Sequence, residues 1–385
     1  MAISRRRFIH AAGAGALALA GGEILPGGRV LGFWSRPLPP EFQADRTTLL
    51  LHNNENPLGP GPRALEAIAA KLTEPGIPAA RYTSLAPKLA EAVAARERCK
   101  PENVLAGCGS TQILRTATMA YTSPSRPLVA GVPTYEECSD VATLIAAEIR
   151  GVPSMRTGLH DLDAMADAAR GAGLVFLDNP SNPSATVHTA ADVRAFIARV
   201  RRESPDTCIL VDEAYHDYVT DERYASQIPL ALEDPRVIVA RTFSKAHGMA
   251  GLRVGYAVGS SATIADLRAL QYSQGTNVLG VAAALASLED PARIDRERAR
   301  NARVRQMTLD WFARHGYEVT ASQANFVFVN VRRSCADFRG ACARHHVLVG
   351  RDFPPYQNSH VRISLGTEAE MERALSVFKR VLGSD

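Results

Sequence analysis

Lysine is almost missing from this sequence. Of the 44 basic side chains in 385 residues, 39 are arginine and five are lysine: Lys71, Lys88, Lys100, Lys245 and Lys379. Basic runs interleaved with aromatics are absent beyond the first ten positions, and the formal net charge is only +4, which excludes a surface built for nucleic acid. The six cysteines (Cys99, Cys108, Cys138, Cys208, Cys335, Cys342) include no Cys-x-x-Cys pair and no zinc-like spacing with histidine, so they read mainly as free core thiols. His345 and His346 are adjacent and no His-Glu-x-x-His occurs, so no metal site is expected. What remains is ordinary globular sequence, 46% hydrophobic and 22% charged, long enough for one large or two intertwined domains.

Four of the five lysines have ordinary settings. Lys71, Lys88 and Lys379 fall in helix-patterned polar stretches, and Lys100 precedes Pro101 at a segment end. Lys245 differs: it lies in Arg241-Thr-Phe-Ser-Lys-Ala-His-Gly-Met-Ala-Gly-Leu-Arg253, between the apolar runs 237–240 and 254–258, both patterned as buried strands. An arginine there would stay charged. A desolvated lysine can lose its proton, and the neutral amine can attack a carbonyl to form a Schiff base.

The first residues read as an export signal. Ser4-Arg5-Arg6-Arg7-Phe8-Ile9 is similar to the twin-arginine signature, and a weakly apolar stretch of ten, residues 11–20, follows it. That stretch is shorter than the about 20 residues a membrane span needs, so no stable membrane anchor is expected. Ala18-Leu19-Ala20 offers a small-x-small cleavage site, and the expected location is periplasmic or secreted. Residues 21–45, rich in proline and glycine, read as a linker, so 1–45 is assigned to signal and linker.

From Thr47 onward, apolar strand-like runs alternate with amphipathic helical stretches. The runs are 104–106, 128–132, 174–177, 208–211, 237–240 and 254–258, a pattern that predicts an α/β fold with a mainly parallel sheet covered by helices on both faces. After Glu289 the pattern changes to a long helix (294–316), a strand (324–329), a helix (335–345), a strand (361–365) and a last helix (368–382), a smaller α+β unit. The expected division is a large domain over 73–288 and a small one formed by 46–72 with 289–385.

In open parallel sheets, ligands bind beyond the carboxyl ends of the strands. Three polar residues follow three runs: Asn182, Asp212 and Lys245. A carboxylate at Asp212 can pair with a cationic ring nitrogen, and equally can cap a helix. Asn182 can donate its amide, and Asn-Pro equally starts turns. Gly107-Cys-Gly109-Ser110-Thr111-Gln112 opens a helical stretch whose N–H groups and hydroxyls form an anion site. Ser244 and Arg253 add a hydroxyl and a guanidinium, and Tyr135 could lay its ring on a ligand or simply pack in the core.

Taken in order, these stretches resemble the pyridoxal-phosphate-dependent class I/II aminotransferases of fold type I, within them the histidinol-phosphate aminotransferase-like group. The resemblance covers about 47–382 and rests on Asn53-Asn-Glu-Asn56-Pro57, Arg81-Tyr82, Gly109-Ser-Thr, Pro133-Thr-Tyr135, Asn182-Pro, Asp212-Glu-Ala-Tyr215, Ser244-Lys245 with Ala250-Gly-Leu-Arg253, Ala324-Asn325 and Arg362-Ile-Ser-x-Gly366. It implies a mainly parallel seven-stranded sheet, pyridoxal 5'-phosphate as cofactor and Lys245 as its Schiff-base lysine. Asp212 would face the ring nitrogen, Asn182 and Tyr215 the phenolate oxygen, and Tyr135 the ring. Gly109, Ser110, Thr111, Ser244 and Arg253 would hold the phosphate, and Tyr82 would reach the cofactor of a second subunit in a homodimer. Arg362 would clamp the substrate carboxylate, supported by Asn325, with Asn56 also in the substrate site. The implied reaction moves an amino group from an amino acid to a 2-oxo acid.

Two departures stand out. Members usually read Asn-Pro-Thr-Gly where this chain has Asn182-Pro-Ser-Ala185, and residues 36–52 contain no tyrosine where histidinol-phosphate enzymes carry a Pro-Tyr element against the substrate phosphate. The first is tolerable because the loop glycine does no chemistry; the missing tyrosine, with an export leader, points to a different substrate. Racemisation, β-elimination or oxidation would use the same cofactor-binding residues, and racemisation would need an acid/base on the opposite face, for which Tyr82, Tyr135 and His247 are nominal candidates. A non-catalytic exported binding protein on the same fold is the alternative of another class.

Overall fold

In the computed structural model of this chain the described residues are 24–25, 29–30, 47–76, 78–81, 84–271 and 275–383. The twin-arginine segment and Tyr82 lie outside them. The chain divides into two units, Met1–Asp45 and Arg46–Asp385. In the first, β1 (Ile24–Leu25) pairs antiparallel with β2 (Arg29–Val30), inside the stretch the sequence marks only as linker.

The second unit is built on a seven-stranded sheet of order β4-β10-β9-β8-β7-β5-β6. Its strands are β4 (Val104–Gly107), β5 (Leu128–Val132), β6 (Ile149–Pro153), β7 (Leu174–Asp178), β8 (Cys208–Asp212), β9 (Val237–Thr242) and β10 (Gly255–Gly259). β7, β8 and β9 are buried along their whole length, as strands covered on both faces must be. Alternate residues feed two cores. Val175, Leu177, Ile209, Val211 and Val239 face one, while Leu174, Phe176, Cys208, Leu210 and Ile238 face the other. β6 is the edge strand, and the sequence pattern missed it because Ile149, Gly151 and Pro153 are exposed and break the apolar run.

β10 alone runs against its neighbours, pairing antiparallel with β4 and β9. Its first residue, Gly255, therefore lies opposite Gly107 and Thr242, where the neighbouring strands end. The residues entering β10, Arg253 among them, are thereby delivered to the carboxyl end of the sheet.

A separate core gathers β11 (Phe326–Asn330), β13 (His360–Ser364), and β12 (Val347–Val349) paired in parallel with β3 (Leu49–Leu51). Phe312, Phe338 and Phe378 fill it from the helices Pro291–Arg314, Cys335–Ala343 and Glu368–Leu382. The first helix starts earlier than its apolar pattern suggests, because Asp290 caps it and a proline is tolerated in the first turn. The stretch 46–72 divides between the two cores. Leu49 and Leu51 join the core around β12, while the helix Pro62–Thr73 packs on the helix Val278–Leu288 and puts Ala64 in the core of the large sheet. Among the described residues no helix is long and apolar enough to cross a membrane.

Candidate active site

The polar residues singled out from the sequence converge at the carboxyl ends of β4, β5, β7, β8 and β9. β4 ends at Gly107, and the helix Gly109–Tyr121 begins two residues later with no side-chain cap, so its first N–H groups stay open to a ligand. Arg253 reaches across this helix start: Nη2 donates to Thr111 Oγ1 at 3.3 Å, and Nη1 to Ser244 Oγ at 3.3 Å. Gly109, at φ 71°, permits that approach, because a Cβ there would stand 2.4 Å from Arg253 Nη2. Gly255 matters equally, since a Cβ on it would lie 2.3 Å from the Ser110 nitrogen. Helix start, Arg253, Thr111, Ser110 and Ser244 thus form one cradle with the donor set of a phosphate site.

Lys245 is half-buried in the loop after β9, with Nζ donating to the Asn53 carbonyl at 3.2 Å and lying 5.6 Å from the Tyr215 ring centroid. Loss of hydration is the main reason its amine is pushed down to about 8, and the Arg362 guanidinium adds to the effect. Asp212, the last residue of β8, is buried and accepts from the Ala214 N–H at 3.1 Å. Burial, then the neighbouring Asp178, push its carboxyl up to about 7. Two buried carboxyl groups side by side invite a cation between them and the solvent.

Tyr215 is buried against Phe326 with its hydroxyl accepting from Asn54 Nδ2 at 3.1 Å, and burial pushes it up to about 12, so it remains a phenol able to donate. Asn182 accepts from Arg362 Nη1 at 2.8 Å. Tyr135 is half-buried, and its hydroxyl bonds to Thr111.

Arg362, on β13, is buried and reaches the site from the other core. Nη2 donates to the His52 carbonyl at 2.6 Å, its guanidinium lies 5.0 Å from the Phe353 ring centroid, and Nε has no partner. Its hydrogen-bond partners are neutral, an arrangement that is costly unless an anionic ligand completes it.

Two residues fall elsewhere than the sequence suggested. Asn56 is spent on the backbone, donating from Nδ2 to the Ala246 carbonyl at 2.9 Å and accepting from the Leu58 N–H at 2.9 Å, so it fastens the lysine loop. Asn325 donates to the Asn54 carbonyl at 3.0 Å, a supporting position behind the segment that carries His52 and Asn54. His247 points away from the site, with Nδ1 2.7 Å from Ser287 Oγ and its ring against Phe243, which removes it as an acid on the opposite face.

Other site residues went unread. Asn54 links Tyr215 to Ser364, donating its backbone N–H to Ser364 Oγ at 2.8 Å. Asp178, paired in register with Asp212, holds His160 and the Asn182 N–H. Asp178 ends an apolar run and could have been flagged for that, whereas His160 carries no local signal.

Comparison with known proteins agrees with this geometry. The sequence pattern of the family described as aminotransferase class I and II matches residues 46–378. A histidinol-phosphate aminotransferase of Symbiobacterium thermophilum is 36% identical over 335 residues, covering 86% of this chain and 90% of that protein. One from Moorella thermoacetica is 32% identical, covering 88% and 86%. Among solved structures, the Sinorhizobium meliloti histidinol-phosphate aminotransferase in complex with pyridoxal-5'-phosphate superposes with a TM-score of 0.79 at 27% identity, covering 88% of this chain and 91% of that one. A cradle for phosphate, a buried carboxyl, a depressed lysine and a buried arginine without an anionic partner, together with these matches, make the chain a member of the class I and II aminotransferases, enzymes that work with pyridoxal phosphate.

Proposed function

We infer that Lys245 is the amine that anchors pyridoxal phosphate and moves the protons of an amino transfer between an amino acid and a 2-oxo acid. When bound, the cofactor supplies a carbon that carries the amino group and a cationic ring that takes up the electron pair released at the substrate Cα. The helix start at Gly109, with Ser110, Thr111, Ser244 and Arg253, would hold its phosphate, Asp212 its ring nitrogen, Asn182 and Tyr215 its phenolate oxygen, and Tyr135 its face. Lys245 Nζ would accept the Cα proton as a neutral amine and, as an ammonium, deliver it to the cofactor carbon that carries the amino group. Arg362, fixed from behind by Asn182 and the His52 carbonyl, presents its remaining N–H groups to the substrate carboxylate. The observation that carries this reading is the meeting, at one end of the sheet, of the half-buried Lys245 amine, the buried Asp212 carboxyl and the buried Arg362 guanidinium with the open helix start at Gly109.

The relatives are named for histidinol phosphate. In this chain the absence of tyrosine from residues 36–52, together with the leader, favours another amino donor. The same reading includes a homodimer, in which Tyr82 would reach the partner's cofactor, and export through the twin-arginine route to the periplasm or beyond. A panel of amino donors and 2-oxo acids, with nitrogen-15 followed from donor to acceptor, tests it. Label on the acceptor, abolished by Lys245→Ala, is the expected result. Label that stays on the donor while its configuration inverts would establish racemisation, and histidinol phosphate as the best donor would refute the substrate reading. Retention of Arg5→Lys/Arg6→Lys precursor in the cytoplasm, and a dimer mass in solution, are the expected results for export and assembly.

A further inference from the structure

Behind the residues assigned above lies a buried pair that the amino transfer does not use. Asp178 ends β7 directly beside Asp212 at the end of β8, and residues in register on neighbouring strands face the same side of the sheet. Both Asp178 oxygens are occupied: Oδ1 lies 2.6 Å from His160 Nε2, and Oδ2 accepts the Asn182 N–H at 2.8 Å. The His160 ring is buried with Nδ1 against β5, where a Cβ on Gly131 would stand 2.1 Å from it, and Nδ1 has no hydrogen-bond partner. A lone pair tolerates that position, whereas a buried N–H would not. The assigned tautomer is therefore neutral, with its proton on Nε2 and donated to Asp178. His188 stacks on His160 at 6.4 Å, and burial pushes it down to about 4, so it brings no positive charge either.

Asp178 thus accepts from two N–H groups, one on the His160 ring and one on the Asn182 backbone. The other titratable groups around the carboxyl pair are Glu213, Tyr135, Tyr215, Tyr224, the Cys138 thiol from the helix Glu137–Leu144, and Lys245, whose ammonium is the cation acting on Asp212.

We propose that His160 and Asp178 form a positioning pair, in which Asp178 is a second, fixed negative charge behind Asp212 that stabilises the cationic ring of the cofactor and pins the Asn182 loop. This rests on the reading of Asp212 as the partner of the ring nitrogen. His160 holds the Asp178 carboxylate in place by donating from Nε2, and Gly131 gives the ring its room. The rise in the Asp212 carboxyl caused by Asp178 is the same effect felt without the ring present.

The test uses the full-length protein carrying cofactor labelled with nitrogen-15 in its ring, whose chemical shift reports ring protonation independently of turnover. Asp178→Asn is expected to lower the pH at which the ring nitrogen loses its proton by about one unit, and to weaken cofactor binding about tenfold at pH values where the ring is protonated in both proteins, a difference that disappears once it has lost its proton in both. His160→Leu should do the same, because it removes the N–H group that fixes the Asp178 carboxylate beside Asp212, while His160→Gln, which restores a donor, should behave as wild type. A loop that is merely loosened would slow turnover without moving the ring titration, and that result overturns the proposal. An unmoved titration in Asp178→Asn with a moved one in Asp212→Asn also overturns it and leaves the reading of Asp212 standing. If Asp212→Asn moves nothing, that reading falls and the proposal with it. Should Asp178→Asn fail to fold, an unmoved ring titration in His160→Leu overturns the proposal alone.

Discussion

The amine of Lys245 can be titrated against an internal standard, because the chain has only four other lysines. In the cofactor-free protein its proton affinity is set first by loss of hydration and second by the Arg362 guanidinium, opposed by Glu55 and Asp212, with the result at about 8 against an ordinary 10.5. At pH 7 an amine titrating at about 8 is roughly 9% neutral and one at 10.5 roughly 0.03%, an advantage of about 300-fold in reactive fraction. Trace labelling with an amine-reactive anhydride, quantified peptide by peptide by mass spectrometry across pH, should give Lys245 a midpoint near 8, with the exposed Lys88 and Lys379 read in the same digest for comparison. Restricted access of the reagent slows the absolute rate equally at every pH, so the midpoint is the diagnostic quantity. Arg362→Gln should raise it, by less than the whole displacement because hydration loss remains, and Asp212→Asn should lower it. A Lys245 midpoint coinciding with those of Lys88 and Lys379 would refute the argument, since a hydrated ammonium cannot move protons at neutral pH.

Asp212 carries a stability cost in the cofactor-free protein. Its carboxyl is raised from 3.8 to about 7 on folding, so its contribution is full below 3.8 and lost as pH rises through 7. Cofactor-free Asp212→Asn should therefore be the more stable protein at pH 8, by about 2–4 kcal/mol in urea melts, with the difference vanishing towards pH 4. Gly255→Ala should weaken binding of the cofactor at least tenfold by equilibrium dialysis, because the added methyl meets the Ser110 nitrogen at 2.3 Å. An unchanged affinity in that variant would show that the helix start is not where the phosphate sits.

Where the chemistry-bearing residues lie along the chain was legible because each follows a contiguous apolar run. Asp212 ends β8, and Lys245 and Asn182 lie in the loops that follow β9 and β7, and a run of buried aliphatics announces its own end. The edge strand β6 was illegible for the converse reason: half of it faces solvent. Asn56 illustrates a different limit, since a motif shows that a residue is present and leaves open whether its amide faces a ligand or the backbone of the Lys245 loop.

The sequence by itself determined the alternating α/β pattern, the single lysine placed between buried strands, and the order of the polar groups, because periodicity and strand ends are properties of neighbouring residues. Only the tertiary structure decided which distant residues meet. It reversed β10 so that Arg253 reaches Thr111, carried Arg362 across from the second core to Asn182, and set Asp178 beside Asp212 with His160 behind it. Those contacts depend on strand order and register, and on burial that changes the proton affinity of Lys245 and Asp212, none of which is written in a local stretch of chain.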